Sequence, residues 1–145
     1  MAYSDFDLKK VRSDFGLQLD EQRDLFADVA PVAPSSTLAN ALADTAQLAM
    51  AINTEKARSE LLITPVLLDI WRQGQSRISL FSGTEFNVDA TRGLTGYCDY
   101  ILSRSKAQLT VNAPVVMIME AKNESIKGGL GQCVAAMLAA QIFNA

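Results

Sequence analysis

GLTGYCDYILSRS (Gly93 to Ser105) and PVVMIMEAK (Pro114 to Lys122) are two runs rich in strand-forming residues, separated by a short polar break. Each reads as a β-strand, with Asp99 inside the first and the triplet Glu120-Ala121-Lys122 closing the second. Side chains on a strand alternate between faces, so Glu120 and Lys122 project on one side with a single residue between them. If the two strands are neighbours, Asp99 joins them. Two carboxylates and an ammonium at the end of a buried strand are what a divalent-metal phosphodiesterase site requires.

The segments flanking these runs extend the pattern. RISLFSGTEFNV (Arg77 to Val88) reads as a hairpin broken at Ser82-Gly83 or as one strand bulged there. Leu94 to Ser103 is the next strand. Val115 to Ala121 is apolar on both faces, which marks a central strand covered on both sides. After the polar loop NESIK, the run GGLGQCVAAMLAAQIFNA is a helix apolar nearly all round, expected to lie buried against the sheet and a second element. Its Gly129-Leu130-Gly131 resembles a dinucleotide-binding turn, but Val134 stands at the third glycine position. These glycines are read as relieving crowding where the helix starts close to the sheet.

Upstream, EKARSELLITPVLLDIWRQG (Glu55 to Gly74) is helical, carries Glu60, and is interrupted by Pro65, which either kinks it or starts a second helix. Leu38, Leu42, Ala46, Ala49 and Ile52 recur at helical spacing, giving a scaffold helix from about Ser36 to Asn53 capped by Ser35 or Ser36. Residues 3 to 33 are mixed in character, with Asp20 an N-cap for a short helix at 21–29.

Composition bounds the chemistry. A chain of 145 residues, 49% hydrophobic, fits one α/β domain, here divided into a helical N-terminal extension (1–54) and a core (55–145). The net charge of −3 provides no global basic field, so any nucleic-acid contact rests on a local patch or a partner. Arg72, Arg77, Arg92, Arg104, Lys106 and Lys127 are the cations available for phosphate contacts or plain solvation. With no histidine, imidazole bases, imidazole metal ligands and histidine-dependent nucleophiles are excluded. Cys98 and Cys133 form no metal or disulfide pattern and read as small core residues in a reducing compartment. The start lacks the pattern of a secretory signal, and no apolar run reaches the roughly 18 residues of a membrane span, so a cytoplasmic protein is expected.

The order of a helix with Glu60, strands around Asp99, a strand ending Glu120-Ala121-Lys122 and a helix opening with Gln132 resembles the PD-(D/E)xK nuclease superfamily over roughly residues 55 to 145. The resemblance implies a restriction-endonuclease-like core of a helix, a three-strand meander, a crossover helix and a fourth strand. It implies hydrolysis of phosphodiester bonds, with DNA the expected substrate and Mg²⁺ the cofactor, Mn²⁺ being a substitute. In that frame Asp99 and Glu120 match the acidic metal ligands, Ala121 offers its carbonyl, and Lys122 matches the lysine that orients the attacking water. Glu60 matches an additional helix ligand, and Gln132 resembles the glutamine of exonuclease-like branches. Cys98 stands where the motif name has proline, and Ala136 where those branches place tyrosine.

No fourth strand follows the last helix, so the sheet is expected to be completed by chain beyond Ala145 or by another subunit. The unfinished sheet and the apolar helix point to a homo-oligomer, a dimer in the simplest case. The alternative reading is a catalytically inactive nucleic-acid-binding or assembly module on the same fold; a third is an interaction domain without nucleic acid.

Overall fold

In the computed structural model, which describes residues 1–74 and 77–145, helices flank a three-stranded antiparallel sheet. Helix α1 (Leu8–Phe15) opens on Asp7, whose carboxylate accepts the amide of Lys10. Its Val11 is buried with Tyr3 and Phe6 in the main core, beside Ala135, Ala136 and Ala139 of the last helix. The start of the expected N-terminal extension is thus core material.

The helix expected at 21–29 does not form. Asp20 accepts the amide of Gln22 and Asp24 that of Phe26, local turns that compete with helical bonding. Leu25, Phe26 and Val29 are exposed, so no buried face holds a helix there.

Helix α2 (Ser36–Ile52) is capped by Ser35, and its stripe packs as the spacing predicts except at Ile52, which is exposed. Asp69 locks this cap in place, accepting both the amide and the hydroxyl of Ser35. A continuous helical run follows: α3 (Glu55–Arg58), a π-helical turn (Ser59–Ile63), then α4 (Thr64–Gln73). Pro65 stands in the first turn of α4, as one of the two expected readings has it, while the helical run stays continuous through the π-helical turn before it. It has no N–H for the carbonyl of Leu61, and its ring would crowd that oxygen; a widened turn relieves the clash. The Thr45 hydroxyl of α2 donates to the Leu61 carbonyl instead, at 2.7 Å.

The sheet runs β1 (Ser79–Glu85), β2 (Tyr97–Ser103) and β3 (Val115–Met119), in that order. Residues 79–85 are one strand rather than a hairpin, because the register Ser82↔Tyr100 and Thr84↔Cys98 is unbroken across Gly83. Gly83 has φ of +58° and lies opposite Asp99. Cys98 and Ile101 pack in the core under the last helix, whereas Tyr100 and Leu102 pack with Leu67 of α4. Strict alternation would put Cys98 and Tyr100 on the same face; the pattern is broken at Asp99, beside the one position that only glycine fills without strain.

Among the described residues β3 is an edge strand, which corrects the expectation of a central one. Its two faces are covered, Val115 and Ile118 by one core and Met117 and Met119 by the other. The strand also ends at Met119, so Glu120 to Lys122 lie just beyond it.

Helix α5 (Ile126–Asn144) buries Ala135, Ala136, Ala139 and Ala140. By length and composition alone, with a mean hydropathy of 1.3, it could cross a membrane, which the sequence expectation did not anticipate. Here it packs on β3 and on α1. The glycines at its start relieve crowding against other partners than the sheet. A Cβ on Gly131 would stand 2.2 Å from the carbonyl carbon of Asp7, and one on Gly129 would stand 2.9 Å from Cε of Lys122.

Candidate active site

The register that pairs Tyr100 with Met119 brings Asp99 opposite Glu120, where the ladder has just ended. The Asp99 carboxylate takes over from the missing backbone partner, with Oδ2 accepting the Ala121 amide at 2.7 Å. Glu120 is held from the other side: Gln132 of α5 donates from Nε2 to Oε2 at 3.1 Å. The second oxygen, Oε1, is buried and has no partner. Burial, followed by the charge of Asp99, raises the Glu120 pKa to about 7, with Lys122 offsetting part of the shift.

Lys122 reaches Glu55 of α3, Nζ to Oε1 at 3.6 Å. Its stem lies over Gly129, and its carbonyl accepts from Arg58 at 3.5 Å. Arg58 also donates to Asn53 at 2.9 Å, tying the end of α2 and α3 to the chain that carries Lys122.

Asp99 and Ala121 open into a cleft of about 450 Å³, shared with Glu60, Ser59, Thr64 and Tyr100. Glu120 and Lys122 line a second cleft of about 290 Å³ with Gly129, Leu130 and Cys133. Residues 120, 121 and 122 thus face the two clefts alternately, and the five sequence-predicted residues of the core site occupy one small region. Glu60 stands at the rim, with its side chain 61% exposed and 3.8 Å from Lys56.

None of the six cations singled out from the sequence lines either cleft; Lys56 lines the larger one. Sequence reasoning also missed Arg58, Tyr100, Ser59 and Thr64. Only the π-helical turn brings the two hydroxyls of that helix together, and Pro65 was its one available signal. Cys98 is fully buried beside the acids, and burial pushes its thiol up to about 12, in keeping with a core residue. Among the described residues no group of three or more acidic or thiol side chains is arranged to hold a metal ion.

No protein-family model matches the chain, nor does any characterised protein or solved structure.

Proposed function

We propose that this chain is a Mg²⁺-dependent phosphodiesterase acting on nucleic acid, with DNA as substrate, on a restriction-endonuclease-like core. The observation that carries the reading is Glu120, a carboxylate placed beside a second carboxylate, with one oxygen buried and unpartnered. A partly buried pair of this kind repels itself unless a proton or a cation intervenes. Mg²⁺ takes hard oxygen ligands, keeps several waters and needs only one or two protein carboxylates beside the substrate's phosphate, so the donor set fits. Asp99 and Glu120 would hold it, with the Ala121 carbonyl and Glu60 as further oxygens. The order of helix, antiparallel meander and helix supports the finer fold reading.

A bound divalent cation lowers the pKa of water and offsets charge on a phosphate. The chain's own groups do the rest. Gln132 holds Glu120 by Oε2, so Oε1 is the oxygen left without a donor. The Lys122 ammonium orients the attacking water and stabilises charge developing on phosphate. Lys56, at the mouth of the larger cleft, contacts the incoming backbone.

The test is incubation of the purified chain with linear DNA, circular DNA and RNA in Mg²⁺, Mn²⁺ or EDTA, beside Asp99→Ala and Lys122→Ala. Cleavage dependent on metal and lost in both variants, with their far-UV circular dichroism intact, is the expected result. A second reading, an inactive nucleic-acid-binding module on the same fold, predicts salt-sensitive DNA retention without cleavage. A dimer would cover the free edge of β3, where Val116 and Met137 are exposed, and sedimentation at micromolar concentration measures it.

A further inference from the structure

The three-stranded sheet has two outer edges, one on β1 and one on β3, and a side-chain carboxamide closes one residue of each. On β3, the Val115 amide donates to Oδ1 of Asn144 at 2.7 Å, and Nδ2 of Asn144 donates back to the Val115 carbonyl at 2.8 Å. On β1, Gln108 does the same for Leu80, with Oε1 3.4 Å from the amide nitrogen and Nε2 2.6 Å from the carbonyl oxygen. Exchange of both N–H···O bonds between two residues is how antiparallel strands pair. Each carboxamide therefore stands where a residue of a further strand would stand.

The direction of the Val115 groups follows from the chain. The Pro114 carbonyl accepts the Arg104 amide at 2.8 Å, which turns it toward β2. The C=O and N–H of one trans peptide point in opposite directions, so the Val115 N–H points away from β2, and in an extended residue the C=O follows its own N–H. Asn144 reaches this open side from the last turn of α5. Its side chain is exposed, and a hydrogen bond that replaces water there adds little net stability. What it changes is access.

The two edges differ in what flanks them. On β1, Gly83 turns the backbone to φ +58°, and Ser82 and Glu85 are exposed, which already deters pairing. Strand β3 carries no charge, and its exposed Val116 lies with Met137 of α5 along a groove of about 300 Å³ that Asn144 also lines. An uncharged apolar edge of this kind is a template for another strand.

We propose that the Asn144 carboxamide is an edge guard: by occupying the bonding groups of Val115 it blocks another strand from pairing along β3, and so holds down association of this chain with its own copies. The guard does not depend on the phosphodiesterase reading. A dimer that covers this edge must first displace Asn144, so the guard sets how readily such a dimer forms.

The experiment compares wild type, Asn144→Ala, Gln108→Ala and Asn144→Ala/Val116→Lys by sedimentation over a dilution series from micromolar to millimolar concentration. Asn144→Ala is expected to associate about tenfold more tightly than wild type, the equivalent of the pair of bonds set free. Gln108→Ala is expected to stay within about twofold of wild type, because the β1 edge is polar and distorted. Lysine at position 116 puts a charge on the apolar strip and is expected to return Asn144→Ala to the wild-type level. Association that survives this lysine does not run through the β3 edge and overturns the proposal. Equal association of wild type and Asn144→Ala, at any strength or at none, overturns it too, as does a gain in Gln108→Ala as large as that in Asn144→Ala. Hydrogen exchange in dilute samples is a second measurement that needs no association. The Val115 amide is expected to exchange about tenfold faster in Asn144→Ala, and equal rates would mean that Asn144 does not hold the edge in solution. If Asn144→Ala loses the far-UV circular dichroism of wild type, Asn144→Ser takes its place, since a serine side chain is too short to bridge both groups of Val115.

Discussion

Gln132 on α5 grips one oxygen of Glu120, Nε2 to Oε2 at 3.1 Å, and leaves the other buried without a partner. Burial first, and the charge of Asp99 second, make folded Glu120 hold its proton more tightly than the unfolded chain does, with its pKa raised from 4.5 to about 7. The sign follows by linkage: this group's stabilising contribution is complete below the unfolded pKa and is lost as pH rises through about 7. In EDTA, wild type should lose urea resistance between pH 5 and pH 8, and Glu120→Gln should flatten that decline. Relieving the unpaired buried charge is worth on the order of 1 kcal/mol at pH 8, a melting temperature higher by about 2–4 °C. An equally steep decline in Glu120→Gln would show that another group governs it.

Asp69 runs the other way. Its carboxylate is held below the usual range, first by the Ser35 hydroxyl and then by the Ser35 amide. A depressed pKa contributes stability that is present above the unfolded value and is lost as pH falls through the folded one. Asp69→Asn should destabilise the protein at neutral pH and remove part of its acid sensitivity below pH 4. Urea titrations of the two proteins at pH 3 and pH 7 measure this: the gap between them should close at the lower pH.

Two glycines two residues apart on α5, Gly129 and Gly131, answer to different neighbours, and alanine should separate them. At Gly131 a methyl group would overlap the Asp7 and Phe6 backbone, which has nowhere to move without shifting α1. Gly131→Ala should cost about 3 kcal/mol, read from chemical denaturation. At Gly129 the clash is with the flexible stem of Lys122. Gly129→Ala should therefore keep or raise stability, by up to about 1 kcal/mol from helix propensity, while displacing the lysine. On the proposed phosphodiesterase reading, which gives Lys122 a role at the attacking water, cleavage should fall by roughly 100-fold with the fold intact. A stable, fully active Gly129→Ala would detach Lys122 from the chemistry.

The elements that carry local information were legible in the sequence. Strand-forming composition announced β2, and the apolar run after Pro114 announced β3, although β3 stops at Met119, before the Glu120-Ala121-Lys122 triplet that was expected to close it. The errors arose where a local pattern had two physical causes. Val115 to Met119 is apolar on both faces because helices cover both faces, a condition that says nothing about whether both edges are paired. Residues 21–29 had a cap and apolar residues but no surface to bury them on, and Asp20 and Asp24 preferred turns. The contact between Gln132 and Glu120, and the stacking of Ser59 on Thr64, depend on tertiary geometry that no single-segment pattern encodes.

Pro65 is the last link between sequence and site. Because it has no N–H to offer the Leu61 carbonyl, that oxygen draws the Thr45 hydroxyl of α2 to 2.7 Å, nearer than the alternative acceptor, the Ala41 carbonyl at 2.9 Å. Thr45→Val should leave that carbonyl unsatisfied at a cost of about 1–2 kcal/mol. Pro65→Ala restores an N–H that can close the ordinary i→i−4 bond to Leu61, so in that background Thr45→Val should cost little. The two changes are then non-additive in a double-mutant cycle followed by urea denaturation. Pro65→Ala also removes the reason for the π turn. A helix returned to α geometry would carry Ser59 and Thr64 apart and free the Tyr100 hydroxyl, now bonded to both, moving it into a more polar setting that ultraviolet difference spectroscopy of the phenol detects. Additive costs and an unchanged tyrosine signal would mean that packing against α2, and not proline, holds the turn open.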